Sequence, residues 1–232
     1  MNLNGTTALV TGGSRGLGKA LGRTLASKGS RVILVAREPV ALASAVEQIR
    51  TEGGSAWGIA ADVGDPAAAA SISARAVALA GPVDILVNNA STLGPTPLPP
   101  LLDTRSDDLS RVFEVNLLGP FRLMRSVVGS MALRRRGVVV SISSDAAVEA
   151  YSGWGGYGSS KAALDHLTRI WAAEVASTGV RMFAVDPGEM DTAMHAAAIP
   201  DADPSTLQRP AEVAERIAAL IASDATGVRV AA

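Results

Sequence analysis

The sequence predicts a single-domain α/β protein built on a doubly wound parallel sheet, and three observations carry that expectation. Short apolar runs alternate with segments of helical spacing along most of the chain. The runs are apolar throughout instead of alternating with polar residues, as strands are when helices cover both faces of their sheet. A cluster of glycines separates the first run from the first helical segment. With 232 residues, 48% of them hydrophobic, the chain can bury one sizeable core.

The elements follow in order. "TTALVTG" (6–12) is a β-branched run that stops at glycine, and "LGKALGRTLASKG" (17–29) carries helical spacing up to Gly29. The alternation repeats with "RVILVA" (31–36) as strand, "PVALASAVEQIRTEGG" (39–54) as helix and "SAWGIAADV" (55–63) as strand. "PAAAASISARAVALAG" (66–81) is then a helix and "VDILVNNA" (83–90) a strand. The proline-rich loop "TLGPTPLPPLL" leads to a long helix near 106–134, the strand "GVVVSIS", a helix near 157–178 and the strand "VRMFAVDPG". A last helix, "PAEVAERIAALIAS", precedes a brief apolar "VRV" (228–230). The proline-rich loop and the stretch 190–210 are the long irregular segments, where folds of this kind place their ligands.

Composition narrows the function. Lys plus Arg number 21 against 22 Asp plus Glu, so there is no net field to recruit nucleic acid or an anionic membrane. The absence of cysteine excludes disulfides and thiolate catalysis, and two histidines leave a transition-metal site little to build with. "MNLNGTTALVTGG" lacks a basic region followed by an apolar run, and no stretch approaches the roughly 18 apolar residues of a membrane span. The chain reads as soluble and cytosolic, with a small molecule as its partner.

In "TGGSRGLG" the glycines Gly12, Gly16 and Gly18 fall between strand and helix, where backbone amides and the positive helix end accept a phosphate. A tight βα corner is the alternative meaning of such a turn. A Walker loop does not fit, because Lys19 is followed by neither Ser nor Thr. The spacing Thr-Gly-x-x-x-Gly-x-Gly resembles the short-chain dehydrogenase/reductase family, over nearly the whole chain. The resemblance implies a Rossmann-like dinucleotide-binding fold, with Ser14, Arg15 and Leu17 of the turn joining its glycines at the cofactor.

A dinucleotide site selective for NAD carries an acidic residue at the end of the second strand. Here that place reads Val35, Ala36, Arg37, and Arg15 lies in the glycine turn. Two guanidinium groups suit a 2′-phosphate, which favours NADP(H). By resemblance, Asp62 and Val63 hold the adenine. "NNAS" resembles the family's Asn-Asn-Ala-Gly, with Asn89 and Ala90 along the cofactor, Asn88 either bracing or contacting it, and Ser91 a departure from glycine. "DPGEMDT" resembles the family's Pro-Gly turn, so that Pro187 and Gly188 pass the nicotinamide and Thr192 bonds its carboxamide.

Both tyrosines of the chain lie in "YSGWGGYGSSKAAL". A phenol has a pKa near 10 and needs a nearby cation to exchange a proton at neutral pH. On a helix Lys161 shares a face with Tyr157, whereas the residue four beyond Tyr151 is Gly155, so Tyr157 is the candidate. Lowering the phenol's pKa by about two to three takes roughly 3 to 4 kcal/mol, within reach of an ammonium and a positive nicotinamide together. The family's serine stands thirteen residues upstream, at Ser144, with Ser143 turned to the opposite side of the strand. Asn116 in "FEVNLLGP" matches the family's asparagine.

These residues imply an NADP(H)-dependent carbonyl reductase or alcohol dehydrogenase. Tyr157 exchanges the proton, Ser144 holds the substrate oxygen, Lys161 tunes the phenol and binds ribose, and Asn116 serves a proton relay. Tyr151 and Trp154 read as cleft walls, Met182, Met190 and Met194 as either cleft wall or core, His195 as a solvated loop residue and His166 as packing or interface. "RRRG" (134–137) reads as a solvated helix end, and the short stretch 190–210 predicts an open cleft. A homodimer, or a homotetramer, is the assembly the resemblance implies. Two other functions stay open: a regulatory NADP(H) binder without turnover, and an isomerase or dehydratase that borrows the hydride.

Overall fold

Thr7–Thr11 (β1) is the third strand of a seven-stranded parallel sheet, next to the central one, and all of its residues are buried. The computed structural model describes residues 1–225 and 229–232. Its other strands are Arg31–Ala36 (β2), Ser55–Ala60 (β3), Ile85–Asn88 (β4), Gly137–Ile142 (β5), Val180–Asp186 (β6) and Arg229–Ala231 (β7), in the order β3-β2-β1-β4-β5-β6-β7. The chain winds outward from β1 through β2 to β3, then restarts on the other side at β4. Ligands of such sheets bind at this reversal, beyond the carboxyl ends of the strands.

The helices are Gly16–Ser27 (α1), Pro39–Thr51 (α2), Ala68–Ala80 (α3), Ser106–Phe113 (α4), Gly119–Leu133 (α5), Gly155–Glu174 (α6), Ala193–Ala198 (α7) and Pro210–Ala222 (α8). They cover both faces of the sheet, which is why the central strands are apolar on both sides. Val32 and Leu34 of β2 pack with Leu21, Ile49 and Ile217 from α1, α2 and α8, while Ile33 and Val35 pack with Ile72 and Leu123 from α3 and α5. Each such side chain, fully buried, stabilises the fold by about 1.5–3 kcal/mol. β3 is an edge strand, and only its Ala56 and Ile59 are buried, one on each face.

Two expectations change and one open alternative closes. The long helix near 106–134 is interrupted by a π turn at Glu114–Leu118. Pro120 has no N–H to offer its i−4 partner, the Asn116 carbonyl, and the helix widens there. The arginine run is not merely solvated: Arg134 donates from Nη2 to the Val83 carbonyl at 2.6 Å and pairs with the buried Asp84. Met182 belongs to the core beneath α5 and not to the cleft. The terminal apolar run begins at Val228, outside the described residues, and Arg229–Ala231 form its strand. Among the described residues no helix is long and apolar enough to cross a membrane.

Candidate active site

The carboxyl ends of β1, β2, β4, β5 and β6 open into a cavity of about 650 Å³. One end is built by the glycine turn. Gly12 and Gly16 adopt left-handed φ of 66° and 53°, conformations that other residues rarely hold. A Cβ on Gly12 would stand 2.7 Å from Asn89 Nδ2, whose amide donates to the Thr11 carbonyl at 2.8 Å and pins the turn to β4. α1 starts at Gly16, and its N-cap, Arg15, provides no side-chain cap. The first N–H groups of the helix therefore have no side-chain acceptor, and Ser14, Arg15, Gly16 and Leu17 line the cavity there. Arg37, at the end of β2, lines the same end. This arrangement of amides and guanidinium groups fits the phosphates of a dinucleotide.

The other end is built by β5 and α6. Tyr157 and Lys161 lie one turn apart on α6 and both line the cavity. Lys161 is 2% exposed; its Nζ donates to the Ile142 carbonyl at 2.7 Å and sits 5.5 Å from the centre of the Tyr157 ring. Burial pushes the ammonium down to about 8, against the pull of Asp165. Burial also pushes the Tyr157 phenol up, to about 12; the Asp145 and Asp186 carboxylates add to the rise, while the Ser144 and Ser91 hydroxyls oppose it. The ammonium by itself does not bring the phenol below its ordinary value. The ammonium spends a hydrogen bond on Ile142 and lies over the face of the ring, so desolvation of the phenolate dominates.

Ser144 follows β5 and lines the cavity. Its Oγ donates to Asp145 Oδ1 at 2.9 Å and accepts from the Ala146 N–H at 3.2 Å. Donation to a substrate oxygen requires that hydroxyl to turn away from Asp145. Asn116 is fully buried in the π turn, and its side chain is saturated. Nδ2 donates to the Thr92 carbonyl at 2.9 Å and to Ser160 Oγ at 3.0 Å, while Oδ1 accepts from the Thr92 N–H at 2.9 Å and from Ser91 Oγ at 3.1 Å.

A family model described as short chain dehydrogenase matches residues 6–203. The chain belongs to the short-chain dehydrogenase/reductase family. It is therefore an oxidoreductase by family. A short chain dehydrogenase of Pseudocercospora fijiensis is 41% identical over 197 residues, which make up 84% of this chain and 62% of that protein. This chain thus matches somewhat less than two thirds of that relative's length. A metagenomic short-chain oxidoreductase crystallised with NADP superposes with a TM-score of 0.86 at 29% identity, covering 100% of this chain and 98% of the other. An NAD+-bound xylitol dehydrogenase superposes with a TM-score of 0.89 at 27% identity, covering 100% and 98%.

Of the residues that the family resemblance singled out, most meet in this one cavity: Asp62, Val63, Asn89, Ala90, Pro187, Gly188 and Thr192 line it with those already described. Two do not. Gly18 packs beneath the turn, where a Cβ would strike the Gly12 carbonyl, so its part is to let helix and turn close up. Asn116 sits behind the wall. Its amide is committed to bracing, which leaves its main-chain carbonyl, freed by Pro120, as the group a relay would use.

Details of the short-chain dehydrogenase/reductase pattern shift as well. The Asp62 carboxylate accepts from the Gly64 N–H at 2.9 Å and from Arg111, and these hold it below the usual carboxylate range against the cost of partial burial. Asn88 is buried, with no hydrogen-bond partner for its amide among the described residues. Thr192 caps α7, accepting from the His195 N–H at 3.2 Å. His195 is not solvated: its side chain is 12% exposed, in the cavity wall, with Nε2 3.6 Å from Glu189 Oε1. His166 is exposed and meets Arg169 Nη2 through Nδ1 at 3.0 Å. Trp154 stacks edge-on against both Tyr151 and Tyr157, with ring centres 6.2 and 5.7 Å away. α7 and the loop after it wall part of the cavity with Met194 and Ile199.

Asp145 and Arg229 carried no signal in the sequence. Asp145 is an acid next to a serine in a turn, and only the fold brings it against Tyr151. Arg229 Nη2 donates to the Ser144 carbonyl at 3.1 Å across 85 residues of chain, a pairing no local pattern reveals.

Proposed function

We propose that this chain is an NADP(H)-dependent reductase of small-molecule carbonyls, of the carbonyl reductase or alcohol dehydrogenase type, with all of it acting as one cofactor-binding domain. One observation carries the proposal: Tyr157, Lys161 and Ser144 meet in the cavity that the glycine turn also opens onto. Arg15 and Arg37 at the glycine end favour the phosphorylated cofactor, because guanidinium groups bind phosphate through charge-assisted hydrogen bonds.

A bound nicotinamide would supply or take up the hydride. The protein's own groups handle the proton and hold the substrate. With burial keeping its phenol up at about 12, Tyr157 is protonated at neutral pH and donates to the oxygen of a carbonyl undergoing reduction. Ser144 Oγ, 2.9 Å from Asp145, turns to hold that oxygen as charge develops on it. Lys161 brings a cation over the ring and lowers the cost of the phenolate left behind, and it lies where ribose hydroxyls would reach it. The Asn116 carbonyl completes a route by which water restores the proton. Intact proton machinery argues against a pure regulatory binder. A homodimer is proposed through α5 and α6, where Phe121 and Trp171 meet at 5.8 Å and Ile170 is 46% exposed.

The test is a panel of ketones and aldehydes assayed with NADPH and with NADH, run beside Tyr157→Phe. NADPH is expected to be the better cofactor. The phenylalanine variant should bind NADPH as the parent does and lose turnover about 10²- to 10⁴-fold, the usual worth of a positioned proton donor. Undiminished turnover in the variant would remove Tyr157 from the mechanism.

A further inference from the structure

Within the cavity, the cationic lining residues are Arg15, Arg37 and Lys161, among the described residues. The first two stand at the glycine turn and the end of β2, and Lys161 is bonded to Ile142. The wall around Ser144 is acidic by contrast. Asp145 is the next residue, and its carboxylate is held on three sides. Oδ1 accepts from Ser144 Oγ at 2.9 Å and from the Ala146 N–H at 2.8 Å, and Oδ2 accepts from Tyr151 Oη at 2.9 Å. A carboxylate offers about four acceptor positions, so one on Oδ2 is left. Glu189 and Asp191 line the same region. His195 lies in the same wall, with Nε2 3.6 Å from Glu189 Oε1. Arg229, behind Ser144, is engaged with Asp165 and Asp186 at 3.0 and 3.4 Å.

We infer that Asp145 selects the substrate: a ketone, or the matching alcohol, bearing an ammonium or hydroxyl group on the carbon next to the reacting one, and not a carboxylate there. This inference rests on the proposed reductase chemistry. The geometry sets the position. The Asp145 carboxylate lies one hydrogen bond beyond the hydroxyl that would hold the substrate oxygen, so a donor on the adjacent carbon comes within its reach. When Ser144 turns toward the substrate, Asp145 Oδ1 loses a donor, and an ammonium or hydroxyl replaces it. A carboxylate in the same place meets a fixed negative charge, and among the described residues no arginine or lysine free of other bonds lines that wall. Leu93, Met194 and Ile199 leave an apolar recess for the rest of the molecule.

The experiment uses three matched ketones with NADPH: 2-amino-1-phenylethanone, 2-hydroxy-1-phenylethanone and benzoylacetate, which differ in one substituent on the carbon beside the carbonyl. The expected order of kcat/KM is ammonium, hydroxyl, carboxylate, with about 10-fold or more between first and last, the scale of one charge-assisted contact. In Asp145→Asn that spread should collapse; in Tyr151→Phe, which keeps the charge, it should persist. The ratio within each variant is the readout, so a general loss of rate through a misplaced Ser144 does not disturb it. Binding of the same compounds to the NADP-loaded protein, followed by tryptophan fluorescence, gives the order independently of turnover. Equal values, preference for benzoylacetate, an order unchanged in Asp145→Asn, or no binding of the ammonium compound up to its solubility would each overturn the inference. Failure of the reductase proposal has a separate signature, turnover insensitive to Tyr157→Phe.

Discussion

Lys161 is almost completely enclosed and gives its Nζ to a main-chain carbonyl, so its charge is held where water does little to stabilise it. Its spacing from Tyr157 is plain in the sequence, because helical periodicity alone puts residues four apart on one face. Its electrostatic state is not plain there, since that depends on burial and on which oxygen the ammonium finds. The same contrast holds for Arg37. Its place at the end of a strand is legible, and the structure puts it on the cavity with Arg15. For Arg37→Leu, the ratio of NADPH to NADH affinity should fall by about 10-fold or more, the loss of one charge-assisted phosphate contact, with NADH binding little changed. Fluorescence titration of both cofactors checks it, and a parallel loss for NADH would point to a general disturbance of the site.

Among the elements, strands and helices were readable almost throughout, because a buried parallel strand and an amphipathic helix have distinct periods. The π turn at Glu114–Leu118 was not read, although its cause, Pro120, stands in the sequence. A proline in a helix has several outcomes, and tertiary contacts to Thr92 and Ser160 select this one. β7 was equally opaque, since three residues have no measurable period. Its Arg229 donates from Nε to Asp165 Oδ2 at 3.0 Å, and Asp165 is a largely buried carboxylate on α6. Arg229→Leu should therefore lower stability by about 2–3 kcal/mol by urea unfolding, because it strands that carboxylate. Adding Asp165→Asn should recover a good part of the loss; no recovery would show that the pairing is not its source.

For the molecule as a whole, pH dependence follows from Lys161. Its pKa is about 8 in the fold, against 10.5 for a free side chain. Between those values the unfolded chain holds a proton that the folded one has released, so stability from this residue rises with pH above about 8. The cost of enclosing the ammonium is felt below 8 and relieved above it. From pH 8 to pH 9 the gain is about 1 kcal/mol, and urea unfolding should show it in the parent relative to Lys161→Met. An identical pH response in both proteins would mean that Lys161 is not the titrating group. The family, the fold and the gathering of the site residues at one end of the sheet could all be foreseen, since they rest on motifs whose spacing the topology preserves. The saturated Asn116 could not, because it depends on side chains brought together from distant segments, and the aim of the Asp145 carboxylate could not, because it is set by the local turn that brings Ser144 Oγ and Tyr151 Oη onto it.

The four bonds of the Asn116 amide join the strand-end loop at 91–92, the π turn and α6 into one block. A wall knitted in this way keeps its shape whatever molecule arrives. Adaptation to size falls instead to the opposite bank, where α7 runs for only six residues. Relatives that accept bulkier molecules on this same frame would be altered along 193–199, with the reacting atoms left where they are.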